Sequence, residues 1–233
     1  MSILISGSRG FIASGLEGDG IDLKTGEDIN TYEAKRQYDV VIHAAALTSV
    51  VESMKNPEGY VWVNVMGTLH MLKQHPEAHF IYLSTAGIYG EGLDHTVNSM
   101  PRPSSVYAST KLAGEYLVRN LAKSWCILRL TNVVGNGERD HQDVYRVFER
   151  EPVLPIYGDG MQMRDFINVT LVRATIERCA RPPYPTGVFN IGSGRSKKII
   201  HVAREFGKPM KFLPAREGEI KLFGIADAFH YLT

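Results

Sequence analysis

The chain has little cysteine, little net charge and no long apolar run, and each shortage excludes a class of protein. Its two cysteines among 233 residues, Cys126 and Cys179, stand alone in apolar or helical settings rather than in a spaced disulfide framework, so a reduced, cytoplasmic setting is expected. A formal net charge of +1 leaves no electrostatic footprint for nucleic acid or an anionic membrane. No apolar stretch reaches the roughly 18 residues that a membrane helix needs. The first apolar run, Ile3 to Ile5, has no basic flank, so a signal peptide is not expected either. Internal repeats and low-complexity segments are missing as well. His70, His75 and His79 lie near one another, but Pro76 breaks helical spacing between the last two, and no metal site is expected.

What is present is an alternation of short apolar runs and helical patterns. The runs are Ile3 to Ile5, Asp39 to His43, His79 to Leu83, Cys126 to Leu130 and Val188 to Ile191; the clearest helical patterns are Pro57 to Gln74, Ser104 to Lys123 and Val169 to Arg181. Strands that are apolar throughout and alternate with helices imply a parallel sheet covered on both faces, hence a doubly wound α/β fold. Pro and Gly cluster at 135–137, 152–160, 182–187 and 192–194, where the chain is expected to leave the sheet. These clusters divide it into 1–135 plus 162–193, which carries the sheet, and 136–161 plus 194–233, a small annex.

The first strand runs into Gly7-Ser8-Arg9-Gly10-Phe11-Ile12. Closely spaced glycines after a strand, opening a helix, let the backbone approach a pyrophosphate that the helix N-terminus stabilises. Asp22 closes a second strand, where a carboxylate accepts hydrogen bonds from the ribose hydroxyls of NAD and repels the extra phosphate of NADP. Only nine residues separate Gly10 from Gly20, so the first helix is expected to be barely two turns long. Arg9 lies inside the loop, either as a surface charge or as a grip for a 2′-phosphate. Ala44, Ala45 and Ala46 end the next strand after His43, where small side chains allow a flat ligand close to the backbone, or simply pack tightly.

Further on, Phe80-Ile81-Tyr82-Leu83 reads as a buried strand, and the hydroxyls of Ser84 and Thr85 emerge at its end. Tyr107 and Lys111, four apart among helix formers, share one helix face. If the strand end meets the helix start, a hydroxyl, a phenol and an ammonium occupy one pocket. That set can move a proton on and off an alcohol oxygen while another group takes a hydride.

These residues resemble the extended short-chain dehydrogenase/reductases, the NAD-dependent nucleotide-sugar epimerases and dehydratases. Gly7-x-x-Gly10-Phe11-Ile12 is similar to their cofactor loop, Val41 to Ala46 to their alanine-rich strand end, Asn64-Val65-Met66-Gly67-Thr68 to the helix whose asparagine supports the site, and Leu83 to Gly90 to the catalytic strand. Tyr107-x-x-x-Lys111, Leu128 to Gly135, Tyr157 to Gly160, Arg164 to Ile167, Asn190 to Gly194 and Arg216 to Glu219 follow in family order. The resemblance implies a Rossmann fold, with Tyr107 as acid/base, its phenolate favoured by Lys111 and the oxidised nicotinamide, Lys111 also on the nicotinamide ribose, and Thr85 bonded to the reacting oxygen. Gly7, Arg9, Gly10, Phe11, Ile12, Asp22, Ala44, Ala45, Ala46 and Asn64 would line the cofactor, NAD with NADP as an alternative. Thr48, Asn132, Arg164 and Arg216 would hold a nucleotide-diphosphate sugar, with Ser84 standing in for Thr85 if the strand register is shifted by one.

Dehydratases of the family carry Asp-Glu after the catalytic threonine, where this chain has Ala86 and Gly87. Decarboxylases carry a glutamate in the same segment, and 3,5-epimerase/reductases a cysteine at the place of Gly87. None of these acids or bases is present, which leaves hydride chemistry at one carbinol, and Val41 to Ser53 is most similar to UDP-hexose 4-epimerases. The alternatives are an NADP-dependent reductase of a nucleotide-linked 4-keto sugar, suggested by Arg9 and Lys24, and a catalytically inactive relative, suggested by the short first helix and short C-terminal part. Apolar positions Val61, Val65, Leu69, Leu112, Tyr116 and Leu117 exceed what one sheet face needs. In relatives the equivalent helices pair, which implies a homodimer.

Overall fold

The computed structural model describes residues 1–135, 144–215 and 220–229. Along the chain the strands are β1 (Ile3–Ser6), β2 (Asp19–Ile21), β3 (Val40–His43), β4 (His79–Thr85), β5 (Gly92–His95), β6 (Ser124–Leu130) and β7 (Asn132–Val134). Then come β8 (Leu154–Tyr157), β9 (Met163–Asn168), β10 (Gly187–Ile191), β11 (Ser196–Lys198), β12 (Met210–Leu213) and β13 (Phe223–Ile225). The helices are α1 (Val50–Lys55), α2 (Pro57–Tyr60), α3 (Gly67–Gln74), α4 (Val106–Leu121), α5 (Val144–Arg150), α6 (Val169–Cys179) and α7 (Ile199–Glu205).

Six strands form one parallel sheet in the order β10-β6-β4-β3-β1-β2. Its central strands are buried along their length because helices cover both faces. On one face Val172, Ile176 and Cys179 of α6 pack on Ile5, Ile42, Ile81 and Leu128. On the other, Met71 and Leu72 of α3 and Val118 of α4 pack on Leu4, Val41, Phe80 and Ile127. The chain reverses its winding between β1 and β3, and at such a switch point the carboxyl ends of the strands open a crevice. Ser6, His43 and Thr85 stand at those ends.

Pro57 to Gln74 is helical as expected, with Pro57 at the first position and the Asn56 side chain accepting from the Gly59 N–H. Between α2 and α3, however, Val61–Met66 is wound as a π-helix, a local widening that often marks a functional position. Its buried residue is Asn64. The expected two-turn first helix is absent: the one helical element between β1 and β2 is the short 3₁₀ segment Ala13–Gly15. Residues 7–18 must both leave and rejoin the sheet edge, and that length leaves no room for two α-helical turns once the glycine turn is made.

Away from the sheet, Phe148, Leu154, Ile156, Ile199, Val202 and Ala203 form a separate apolar cluster beneath the parallel pair β8 and β12. The strands β7, β9 and β11 make a three-stranded sheet. Among the described residues no helix is long and apolar enough to cross a membrane.

Candidate active site

The glycine loop lies directly against the end of β3. Gly7 has a φ of 71°, and its N–H donates to the Ile21 carbonyl at 2.8 Å. A Cβ at Gly7 would sit 2.7 Å from Ala45 Cα, so any side chain there would push the loop off the strand. The Gly10 N–H closes the turn on the Gly7 carbonyl at 2.9 Å. The Asp22 carboxylate accepts from the backbone N–H groups of Arg9 and Lys24, each at 2.9 Å, which fixes it at the end of β2 beside the loop. The Arg9 side chain is exposed. A glycine cradle, three alanines and an oriented carboxylate fit the adenosine diphosphate half of a dinucleotide. What the fit lacks is a helix beyond the single turn that the Ser14 N–H closes on the Gly10 carbonyl at 2.9 Å.

Below the crevice a continuous hydrogen-bonded line joins β1 to α4. Ser6 Oγ and His43 Nδ1 are 2.7 Å apart, and His43 Nε2 and Thr68 Oγ1 are 3.0 Å apart. Thr68 Oγ1 donates to the Asn64 carbonyl at 2.7 Å, so His43 donates through Nε2 and accepts at Nδ1. Burial, with Lys111 a smaller cause, holds the His43 pKa down to about 3, and the ring stays neutral as this pattern requires. Asn64 bonds both the N–H and the carbonyl of Leu47 and donates to Thr110 Oγ1 at 3.0 Å; Thr110 in turn donates to the Tyr107 carbonyl at 2.8 Å. Asn64 thus anchors the chain leaving Ala44–Ala46 and the first turn of α4. Its amide is committed to protein partners, which gives it a supporting place rather than one in the crevice.

The helix α4 begins at Ser105, whose hydroxyl accepts from the Ala108 N–H at 3.2 Å. It approaches β4 closely because Gly114 has no side chain; a Cβ there would lie 2.1 Å from the Tyr82 hydroxyl. This close approach brings Tyr107 and Lys111 to the end of β4. The Thr85 hydroxyl sits beside the Tyr107 phenol, while Lys111 Nζ lies 4.1 Å from the centre of the Tyr82 ring. Burial raises the Tyr107 pKa to about 12, with Thr85 opposing the rise, and burial lowers Lys111 to about 7 against the opposing pull of Glu115. Without cofactor, burial of both groups therefore keeps the phenol neutral; the expected phenolate rests on Lys111 together with the oxidised nicotinamide.

Ser84 points the other way. Its hydroxyl donates to Glu115 Oε1 at 2.6 Å, inside a buried network that the sequence reading missed. Arg129 bonds Glu115 through Nε at 3.0 Å and Nη2 at 2.7 Å, and donates through Nη1 to the Tyr89 hydroxyl at 2.7 Å. Tyr89 donates to Asn190 Oδ1, and Asn190 donates to Asp227. The stand-in role for Ser84 has no support in this geometry. Among the other expected site residues, Thr48 is exposed, Asn132 donates to the Asp165 carbonyl at 3.0 Å, and Arg164 is half-buried on β9 with Nη1 donating to the Met163 carbonyl at 2.8 Å. Arg216 lies outside the described residues.

Known proteins resemble the chain in sequence and in fold. Residues 12–192 match the model of the NAD dependent epimerase/dehydratase family. A dTDP-L-rhamnose 4-epimerase of Burkholderia thailandensis is 31% identical, the match covering 72% of this chain and 60% of that protein. A UDP-glucose 4-epimerase of Halalkalibacterium halodurans is also 31% identical, over 85% of this chain and 70% of its own length. A human dTDP-D-glucose 4,6-dehydratase is 29% identical, but the match spans only 51% of it. Among solved structures, MoeE5 in complex with UDP-glucose and NAD superposes with a TM-score of 0.86 at 26% identity, covering 97% of this chain and 89% of that one. The Thermus thermophilus UDP-glucose 4-epimerase complex with NAD superposes with a TM-score of 0.82 at 26% identity, covering 97% and 91%.

Proposed function

This chain belongs to the NAD dependent epimerase/dehydratase family, and we propose that it inverts C4 of a nucleotide-linked hexose, a UDP-hexose, through a 4-keto sugar. When bound, NAD would supply the acceptor and donor of one hydride. Tyr107 takes the proton of the C4 hydroxyl and later gives it back to the same oxygen, while Thr85 holds that oxygen and Lys111 supports the phenol. Asn132, Thr48, Arg164 and Arg216 would hold the nucleotide diphosphate, the arginines through bidentate contacts to phosphate.

One observation carries the choice of reaction. Ala86 is buried, and a Cβ at Gly87 would come 3.2 Å from Thr85 Oγ1, so a side chain at position 87 would start beside the threonine hydroxyl. Glycine leaves that place empty, and Glu115, the buried carboxylate nearest to the catalytic strand, is committed to Arg129 and Ser84. Elimination of water needs a second acid or base; inversion through a ketone needs only one. The names of the Burkholderia and Halalkalibacterium relatives accord with a 4-epimerase. Incubation of the protein and NAD with UDP-glucose is expected to give UDP-galactose by proton NMR. Absence of interconversion from either sugar would count against the reading.

We also propose a homodimer. Val61, Trp62 and Met66 in the π-helical segment and Tyr116 on α4 are 46%, 55%, 40% and 55% exposed, a set of large apolar side chains on neighbouring helices. Sedimentation at micromolar concentration is expected to give twice the chain mass, and Trp62→Glu to shift it to the monomer. A monomeric wild type would refute this.

A further inference from the structure

The shortened first crossover leaves a problem that α6 solves. In an α-helix the carbonyls of Phe11 and Ile12 would accept from N–H groups four residues on. Here the Leu16 N–H instead bonds the Ala13 carbonyl, closing the 3₁₀ turn. Arg173, in the middle of α6, takes over both carbonyls: Nη2 donates to Phe11 at 2.7 Å and Nε to Ile12 at 2.9 Å. The guanidinium thus takes the place of the N–H groups that a longer helix would offer to these carbonyls. It also explains Gly15, since a Cβ there would fall 2.5 Å from the guanidinium carbon.

Two consequences follow from elementary geometry and charge. A trans peptide points its N–H opposite to its carbonyl. Fixing the Phe11 and Ile12 carbonyls on α6 therefore turns the N–H groups of Ile12 and Ala13 away from α6. A full positive charge also sits behind the loop, where a helix N-terminus would have supplied roughly half of one. Among the described residues no acidic side chain pairs with Arg173 to cancel it.

We propose that Arg173 is a positioning residue for the cofactor diphosphate, replacing in this chain the missing first helix. The proposal rests on the NAD reading of the glycine loop. It assigns Arg173 no contact with the substrate and no part in proton transfer.

The test is binding, read by competition with NADH fluorescence, for wild type, Arg173→Lys and Arg173→Met. ADP-ribose affinity is expected to fall about 10-fold or more in Arg173→Met, as for loss of charge-assisted hydrogen bonds, and less in Arg173→Lys, whose ammonium can hold one carbonyl well. Adenosine affinity should stay within about twofold, because adenosine has no diphosphate to sense the loop. If Arg173→Met fails to fold, the lysine variant decides by the same ADP-ribose to adenosine contrast. Unchanged ADP-ribose binding, or equal loss for both ligands, overturns the proposal while leaving the NAD reading intact. A wild type that binds neither NADH nor ADP-ribose overturns both.

Discussion

Tyr107→Phe is expected to lower kcat by about 10³-fold, within the range of about 10² to 10⁴ that a positioned acid/base contributes, while NAD affinity changes little. On the proposed reading, the phenol is the one group among the described residues at the end of β4 that would exchange a proton with a substrate hydroxyl. Thr85 cannot do so at neutral pH, Lys111 lies over the Tyr82 ring, and Ser84 is turned into the Glu115 network. Removing one oxygen from an otherwise unchanged ring leaves the packing of α4 intact. The KM for the nucleotide sugar should therefore hold within a few-fold. A variant with wild-type turnover would show that the chemistry is assigned to the wrong residue.

The pH dependence sharpens the same prediction. With its pKa raised to about 12 by burial, Tyr107 in the free chain is a neutral phenol throughout the physiological range, and no phenolate absorbance near 295 nm is expected from it below pH 10. Lys111, lowered to about 7, is only partly charged there. A unit positive charge at contact distance in a partly screened site is worth about 4 kcal/mol, or about three pKa units. NAD⁺ carries such a charge on its nicotinamide and NADH does not. Binding of NAD⁺ is thus expected to bring out a phenolate signal at pH 8 to 9 that NADH does not produce and that Tyr107→Phe lacks. An identical spectrum with both forms would mean that cofactor charge does not set the ionisation of Tyr107.

Much of the fold was legible because parallel strands buried on both faces announce themselves as continuous apolar runs. The runs at Ile3 to Ile5 and His79 to Leu83 became β1 and β4 with shifts of two residues or fewer at their ends. That same property hid the facing of Ser84 and Thr85. A strand apolar on both sides offers no alternation from which to tell which hydroxyl reaches the crevice. The helix after β1 was over-read, since a glycine turn followed by Ala13-Ser14-Gly15-Leu16 has no periodic face to confirm or deny it. Residues acting across long separations left no local trace either. Arg173 reaches Phe11 over 162 positions and His43 reaches Thr68 over 25, and only the tertiary fold makes those pairs. Gly114 had a readable signal: a glycine inside a strong helix pattern costs about 1 kcal/mol relative to alanine and so points to a close packing partner.

The second large effect concerns the core behind the site. Arg129→Met is expected to destabilise the protein by about 3 to 5 kcal/mol, the cost of leaving one member of a buried ion pair without its partner. Glu115 and Arg129 are both almost fully buried, and the pair joins α4 to β6 directly and β4 through Ser84. Without the guanidinium, Glu115 keeps, among the described residues, the Ser84 hydroxyl and the more distant Arg119, whose Nη2 is 3.8 Å away, and the Tyr89 hydroxyl loses a donor. A cavity of about 330 Å³ beside Glu115, Arg119 and Arg129 can admit water to the stranded carboxylate, which favours the lower part of the range. For a chain of this size the loss corresponds to a fall in Tm of roughly 6 to 20 °C. The double variant Glu115→Met with Arg129→Met should recover a large share of it, because two apolar side chains carry no unpaired charge. Recovery should be incomplete, since Ser84 and Tyr89 still lose partners. Catalysis discriminates further: Ser84 neighbours Thr85, and Glu115 lies four residues beyond Lys111 on α4, so the repaired core is expected to remain slower than wild type even where its Tm returns. Melting of Arg129→Met within 2 °C of wild type would show that the pair contributes little to the fold, and full activity in the double variant would show that it does not position Thr85 and Lys111.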